Sequence, residues 1–325
     1  DGPSWTDVTA DLGIPELWIG TASWGDLDGD GAPDLFVPAE AGGVYANRNG
    51  HFEPLPEEAR LQNLTTGFSS SVADIDGDGD LDLIVGARAR IEAAHNEGDL
   101  RFSRGQTLWT GDEGSAGVAS VGVLDLDGDE YPDLYAVRVG EIFGGEHDPD
   151  AANVLLRGGP DGFADVSARA PEVQAAGEYA TYGFSYAPRP MFDQAPVLYI
   201  GNDRPANYAF AHVGGTEFVP IELPQHEWAI ATMGVDHSYE NDSGELTFAV
   251  SDLGAFPLFH MDADGTVEQM VDQVGWNVGF ASGWGVVFGD FDNDGAEDLV
   301  LATGNKNRGE FGEQLEALDT RMLFF

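Results

Sequence analysis

The chain has 325 residues, of which 42% are hydrophobic, and it sets 14 basic against 58 acidic side chains for a formal charge of −44. That apolar share suits a folded chain with a sizeable core rather than an acidic disordered tail, and the charge excludes nucleic acid and anionic membranes as partners. Cysteine is absent, which excludes disulfides and thiolate chemistry, and no apolar run reaches the roughly 18 residues of a membrane span, so insertion in a membrane is not expected.

The chain begins at Asp1 with neither a Met nor an apolar leader. This is the expectation for a mature secreted or periplasmic protein. The single lysine, Lys306, and the large acidic excess suit either a salty medium, where screening weakens self-repulsion, or acidic drift in a GC-rich genome. The first predicted element is a short strand over residues 4–9. Next, Ala22 and Trp24 alternate with Thr21 and Ser23, the period of an antiparallel strand.

An aspartate ladder follows, Asp26-Leu-Asp-Gly-Asp-Gly-Ala-Pro-Asp34, and runs at once into the strand-like Leu35-Phe-Val37. The pattern recurs as Asp74-Ile-Asp-Gly-Asp-Gly-Asp-Leu-Asp82, Asp125-Leu-Asp-Gly-Asp-Glu-Tyr-Pro-Asp133 and Asp290-Phe-Asp-Asn-Asp-Gly-Ala-Glu-Asp298. Third-strand patterns follow at Val44, Asn153 and Leu258, and a fourth follows the glycine turn at Asp161-Gly162. Two worn copies, anchored near Ala187 and Asp236, fill the gap before Asp290. Six units of about fifty residues result, each with four short strands. Such a repeat predicts an all-β, single-domain β-propeller over residues 1–325, with six blades and seven as the alternative. Arg321 to Phe325 reads as a third strand with nothing after it, so the strand at 4–9 is expected to close the last blade.

Ladder positions 1, 3, 5 and 9 offer carboxylates and position 7 a backbone carbonyl, the oxygen-rich set that Ca²⁺ prefers. The expected ligands are Asp26, Asp28, Asp30, Ala32 and Asp34; Asp74, Asp76, Asp78, Asp80 and Asp82; Asp125, Asp127, Asp129, Tyr131 and Asp133; and Asp290, Asp292, Asp294, Ala296 and Asp298. About four calcium ions are expected. An EF-hand is excluded because its twelfth position needs Glu, whereas Val37, Val85, Ala136 and Leu301 stand there. The Gly289 to Leu299 segment, Trp5 to Gly13 and Val44 to Phe52 carry a resemblance to FG-GAP or VCBS repeats. Those repeats build integrin α-subunit heads, and the likeness is closer still to CRTAC/UnbV-like proteins. The resemblance implies a propeller fold, calcium and extracytoplasmic recognition.

Because each ladder joins the first two strands of a blade, a ligand is expected at the opposite end. The loops there hold Arg88, Arg138, Arg204, Lys306 and Arg308 among few basic residues, with Trp18, Tyr179, Trp228 and Trp276 on the loops entering first strands. Arginine beside aromatic rings suits a carbohydrate, a small anionic ligand or a protein partner; the other reading is that the aromatics plug the channel and the arginines pair with Glu40, Glu141, Asp203 and Asp252. The alternative is an enzyme, a lyase, hydrolase or cyclase acting on a small polar or anionic substrate. His95, His147 and His226 are assigned to the same end, no catalytic motif is present, and a monomer is expected.

Overall fold

The structure is a computed structural model that describes residues 6, 8, 11–14, 21–39, 42–55, 61, 64, 66–111, 117–139, 152–169, 180–188, 194–203, 206–224, 232–240, 244–252, 256–270, 282–304 and 321–324. Each repeat forms one antiparallel meander. Sheet 1 comprises β1 (Ser23–Gly25), β2 (Asp34–Val37), β3 (Gly43–Asn47) and β4 (Phe52–Pro54); sheet 2 comprises β5 (Ser69–Ala73), β6 (Asp82–Ala87), β7 (Arg90–Ala94) and β8 (Gln106–Thr110). Sheet 3 holds β9 (Gly117–Leu124), β10 (Asp133–Val139), β11 (Val154–Arg157) and β12 (Ala164–Asp165). Sheet 4 holds β13 (Ala180–Ala187), β14 (Val197–Asp203), β15 (Tyr208–Gly214) and β16 (Glu217–Ile221). In sheet 5 these are β17 (Gly234–Glu240), β18 (Glu245–Ser251), β19 (Leu258–Met261) and β20 (Val267–Gln269). Sheet 6 has three described strands, β21 (Ser282–Gly289), β22 (Asp298–Gly304) and β23 (Arg321–Phe324). Its expected fourth strand, residues 4–9, lies largely outside the described residues.

The described residues thus form six successive antiparallel sheets, and the predicted strands among them fall where the repeat puts them. One anchor differs. Asp236 sits inside β17, and the turn that corresponds to a ladder follows Glu240. That hairpin is short and carries no spaced aspartates, so the sequence offered no mark for its position.

Two compact units organise the chain, Asp1–Glu178 with sheets 1–3 and Tyr179–Phe325 with sheets 4–6. Second strands carry long β-branched and aromatic runs because both their faces are covered, which β6 and β10 show by being buried at every position. In the first unit Leu27, Phe36, Val44, Leu83 and Val85 fill the layer between sheets 1 and 2, and Ile84, Ile91, Val118 and Leu134 fill that between sheets 2 and 3. In the second unit Tyr199 stacks on Phe248 at 5.1 Å between sheets 4 and 5. First strands lie closer together and accordingly use small residues. A Cβ on Gly183 would meet the Gly234 Cα at 3.4 Å, and one on Gly234 the Gly285 Cα at 3.2 Å. Serines serve the same strands in the first unit, where the Ser23 and Ser70 hydroxyls lie 2.8 Å apart and Ser69 Oγ donates to the Val118 carbonyl at 2.9 Å.

Candidate metal centres

Each ladder is a turn between the first and second strands of its sheet, and its carboxylates are held by the backbone they follow. In the first turn Asp26 accepts the Asp30 and Gly31 N–H groups at 3.0 and 2.9 Å, Asp28 accepts Asp30 N–H at 3.2 Å, and Asp30 accepts Ala32 N–H at 2.9 Å. The fourth turn repeats this pattern at Asp290, Asp292 and Asp294. These bonds need left-handed backbone at positions 4 and 6, which is where Gly29 and Gly31 stand at φ 72° and 89°. Asn293 and Glu130 adopt the same region at φ 58° and 70°.

Position 9 has a second task that the spacing did not reveal. One oxygen of Asp34, Asp82 and Asp133 accepts the position-2 N–H, from Leu27, Ile75 and Leu126, at 2.8 to 3.0 Å. The other oxygen accepts an N–H at the end of the third strand, from Asn47, Asn96 and Gly158, at 2.7 to 2.8 Å. All three aspartates are buried, and burial raises each carboxyl above its usual range despite these bonds. Position 2 points the other way, since Leu27, Ile75 and Leu126 are buried. Asn96 links two ladders, donating to the Leu27 carbonyl at 2.7 Å.

The donor set fits a cation. One oxygen each from Asp26, Asp28 and Asp34, from Asp74, Asp76 and Asp78, and from Asp125, Asp127 and Asp133 lie within 4.8 Å of one another. In the third cluster Asp127 Oδ1 is buried and accepts no hydrogen bond. Basic groups at the ends of third strands lean on the outer oxygens. Arg48 Nη1 lies 2.6 Å from Asp28 and 3.4 Å from Asp30, and Arg157 pairs with Asp127 and lies 3.5 Å from Asp129. Sheet 2 puts a histidine there instead. His95 Nδ1 lies 3.1 Å from Asp76 Oδ2 and 3.5 Å from Asp82 Oδ2, buried and without hydrogen-bond geometry to either.

His95 was assigned to the other end of the blade because the short turn at Arg88 and Ala89 hid β7. That turn returns the chain to the ladder side by residue 95. His147 and His226 lie outside the described residues, as do Arg204, Lys306, Arg308, Trp18, Tyr179, Trp228 and Trp276. Arg88 and Arg138 do stand at the end opposite the ladders. Arg88 bridges to Gly117 and Arg138 pairs with Val118, so the two flank the start of β9. Arg88 is exposed, whereas Arg138 is buried, with its guanidinium carbon 5.2 Å over the Trp109 ring. Trp109 in turn donates to Asp165 Oδ2 at 3.1 Å. The arginine and aromatic pairing exists, but with a tryptophan of a fourth strand. At the same end of sheet 1 a cavity of about 400 Å³ opens among Val37, Pro38, Ala39, Tyr45, Leu55 and Leu61, with no arginine in its lining.

The FG-GAP-like repeat family matches residues 26–85 and 74–136. No curated protein matches the chain in sequence. Among solved structures the chain is similar to a chain of the complex of BBS1N with ARL6DN, at TM-score 0.54 and 13% identity over 89% of this chain and 78% of that one. It is also similar to an Agrocybe aegerita lectin described as recognising non-reducing terminal N-acetylglucosamine, at TM-score 0.52 and 17% identity over 94% and 79%. A third likeness is to the periplasmic gluconolactonase of Pseudomonas aeruginosa, at TM-score 0.51 and 13% identity over 93% and 87%. With the ladders at its turns, residues 26–136 of the chain carry FG-GAP-like repeats, and its fold is similar to those of these solved structures.

Proposed function

We propose that the chain is a calcium-stabilised recognition module that works outside the cytoplasm, with the ladders as its scaffold and the opposite end of its blades as its binding side. The observation that carries the calcium reading is the convergence of three carboxylates within 4.8 Å in successive ladders, with the buried Asp127 Oδ1 lacking any donor from the protein. Oxygen donors from Asp side chains on a turn suit Ca²⁺, which accepts many oxygens in a flexible shell; Mg²⁺ asks for a tighter octahedron. Bound there, the ion neutralises carboxylates that otherwise repel one another across a few ångströms. Compartment follows from the same chemistry, since weak sites on exposed turns fill where calcium is abundant.

For the ligand, supporting features are Arg88 beside the start of β9 and the cavity near Val37, at the end away from the ladders. Structural neighbours include a sugar-binding lectin and a chain found in a protein complex, which favours a carbohydrate or protein as the partner class. The second reading is an enzyme of a small polar or anionic substrate. It is favoured by the likeness to a gluconolactonase.

Calcium is tested by flow dialysis of metal-stripped protein against ⁴⁵Ca²⁺, together with melting curves. About four ions should bind, and their removal should lower the melting temperature. An unchanged melting temperature after stripping rejects the scaffold role. A glycan array and a lactone hydrolysis assay on the calcium-loaded chain then separate the two readings. Saturable binding without turnover supports recognition, and turnover supports the enzyme.

A further inference from the structure

Sheet 5 has no aspartate ladder, yet its hairpin carries another group of donors at the corresponding turn. Glu240 and Glu245 are direct partners across β17 and β18, and two like charges placed opposite one another destabilise a strand pair unless a cation lies between them. Two residues along β18, Thr247 faces His260 of β19, so the alternation of the strands brings His260 to the same face as both glutamates. One donor atom from each of Glu240, Glu245 and His260 lies within 4.8 Å of the others, with His260 Nδ1 3.0 Å from Glu240 Oε1. All three are partly exposed, so an ion can reach them.

The surroundings are those of an oriented ligand set. His260 Nε2 lies 3.1 Å from Asp262 Oδ1, the carboxylate–histidine contact that holds a proton on one ring nitrogen and turns the lone pair of the other toward a metal. Thr247 Oγ1 donates to Glu240 Oε1 and fixes that carboxylate in turn. The three ligands sit on three paired strands of fixed register, not on a loop.

We propose that Glu240, Glu245 and His260 form a site for a divalent transition metal of the zinc class, separate from the ladders. An imidazole nitrogen with two carboxylates suits Zn²⁺, Co²⁺ or Mn²⁺, whereas calcium takes oxygen donors. Three protein ligands leave a coordination position for water or a small ligand. The competing arrangement has no metal and consists of a protonated His260 bridging Glu240 and Asp262.

The test uses the full chain saturated with calcium, so that the ladders are filled, and titrates it with ZnCl₂ against a chromophoric chelator. One zinc ion should be retained, and CoCl₂ in its place should give the visible absorption of nitrogen-coordinated Co²⁺. His260→Gln and Glu245→Gln should each weaken zinc at least tenfold, and Asp262→Asn about 10- to 100-fold, with calcium content unchanged. His95→Gln should leave zinc affinity intact. No zinc retained by the calcium-saturated wild type overturns the proposal, and so does zinc lost with His95→Gln but kept in His260→Gln, which moves the site to the second ladder. Should one variant fail to fold, the other two and the wild-type stoichiometry still decide.

Discussion

At the residue scale, the ladder separates charge from backbone shape. Carboxylates at alternate positions face the candidate ion, whereas positions 4 and 6 exist to turn the chain through the left-handed region. Three of the four ladders keep Gly at position 6, but the third places Glu130 there at φ 70°. A side chain in that region costs about 1 kcal/mol or somewhat more. Glu130→Gly should therefore stabilise the protein by about 1 kcal/mol, read as a higher denaturation midpoint with calcium binding unchanged. The reverse exchange, Gly31→Ala, should cost about as much. A Cβ there meets nothing within 4 Å, so the cost is conformational and not steric. A neutral result for both would show that the turns are set by the ion rather than by backbone preference.

At the element scale, the bracket made by the ninth residue explains why the acid at that position cannot wander. Asp82 takes one N–H from the ladder and one from Asn96 beyond β7, so it ties the first, second and third strands of its sheet at one corner. Asp82→Ala leaves both donors without that partner, at about 1–3 kcal/mol each, measurable by chemical denaturation. Burial sets the pH behaviour as well. Because the carboxyls of Asp34, Asp82 and Asp133 are raised in the fold, their stabilising contribution is complete below the unfolded carboxyl value and is lost as pH rises through the raised folded values. Metal-stripped protein should therefore melt at a lower temperature as pH rises through those raised values, and Asp34→Asn should flatten that slope. A melting temperature of stripped protein that rises steadily with pH above the usual carboxyl range would contradict the assignment. Calcium should reverse the trend, since it needs the ionised form.

The same scale shows what could be read from residues alone. Ladder spacing located β2, β6, β10 and β22, because a turn that must gather carboxylates leaves a mark in the acids themselves. Sheet 5 left no such mark. Its turn lies between Glu240 and Glu245 at the strand ends, outside any aspartate spacing, and the anchor slipped to Asp236 inside β17. His95 slipped for another reason, the two-residue return at Arg88 and Ala89, which no Gly or Pro announces. Position 9 was legible as an acid but not as a bracket, because its partners are backbone N–H groups of a strand 13 to 25 residues further on.

At the scale of the whole molecule, the charge of −44 and the uneven placement of the ladders act together. The unit Asp1–Glu178 contains three ladders, and Tyr179–Phe325 contains one, with the histidine and glutamate cluster of sheet 5 in place of another. Where no ion screens it, each ladder gathers like charges on a turn that bonds two strands together, and the cost is borne by the sheet that carries it. Removing calcium should thus loosen the first unit more than the second. Hydrogen exchange in excess EGTA should show protection falling first in β2, β6 and β10, while β14 and β18 hold theirs. Raising NaCl toward 1 M, where the screening length shrinks to about 3 Å, should restore part of the protection without restoring calcium. Equal loss across both units would mean that the ions serve the protein through its total charge. A loss confined to the second unit would mean that the ladders are not what holds the first unit's sheets.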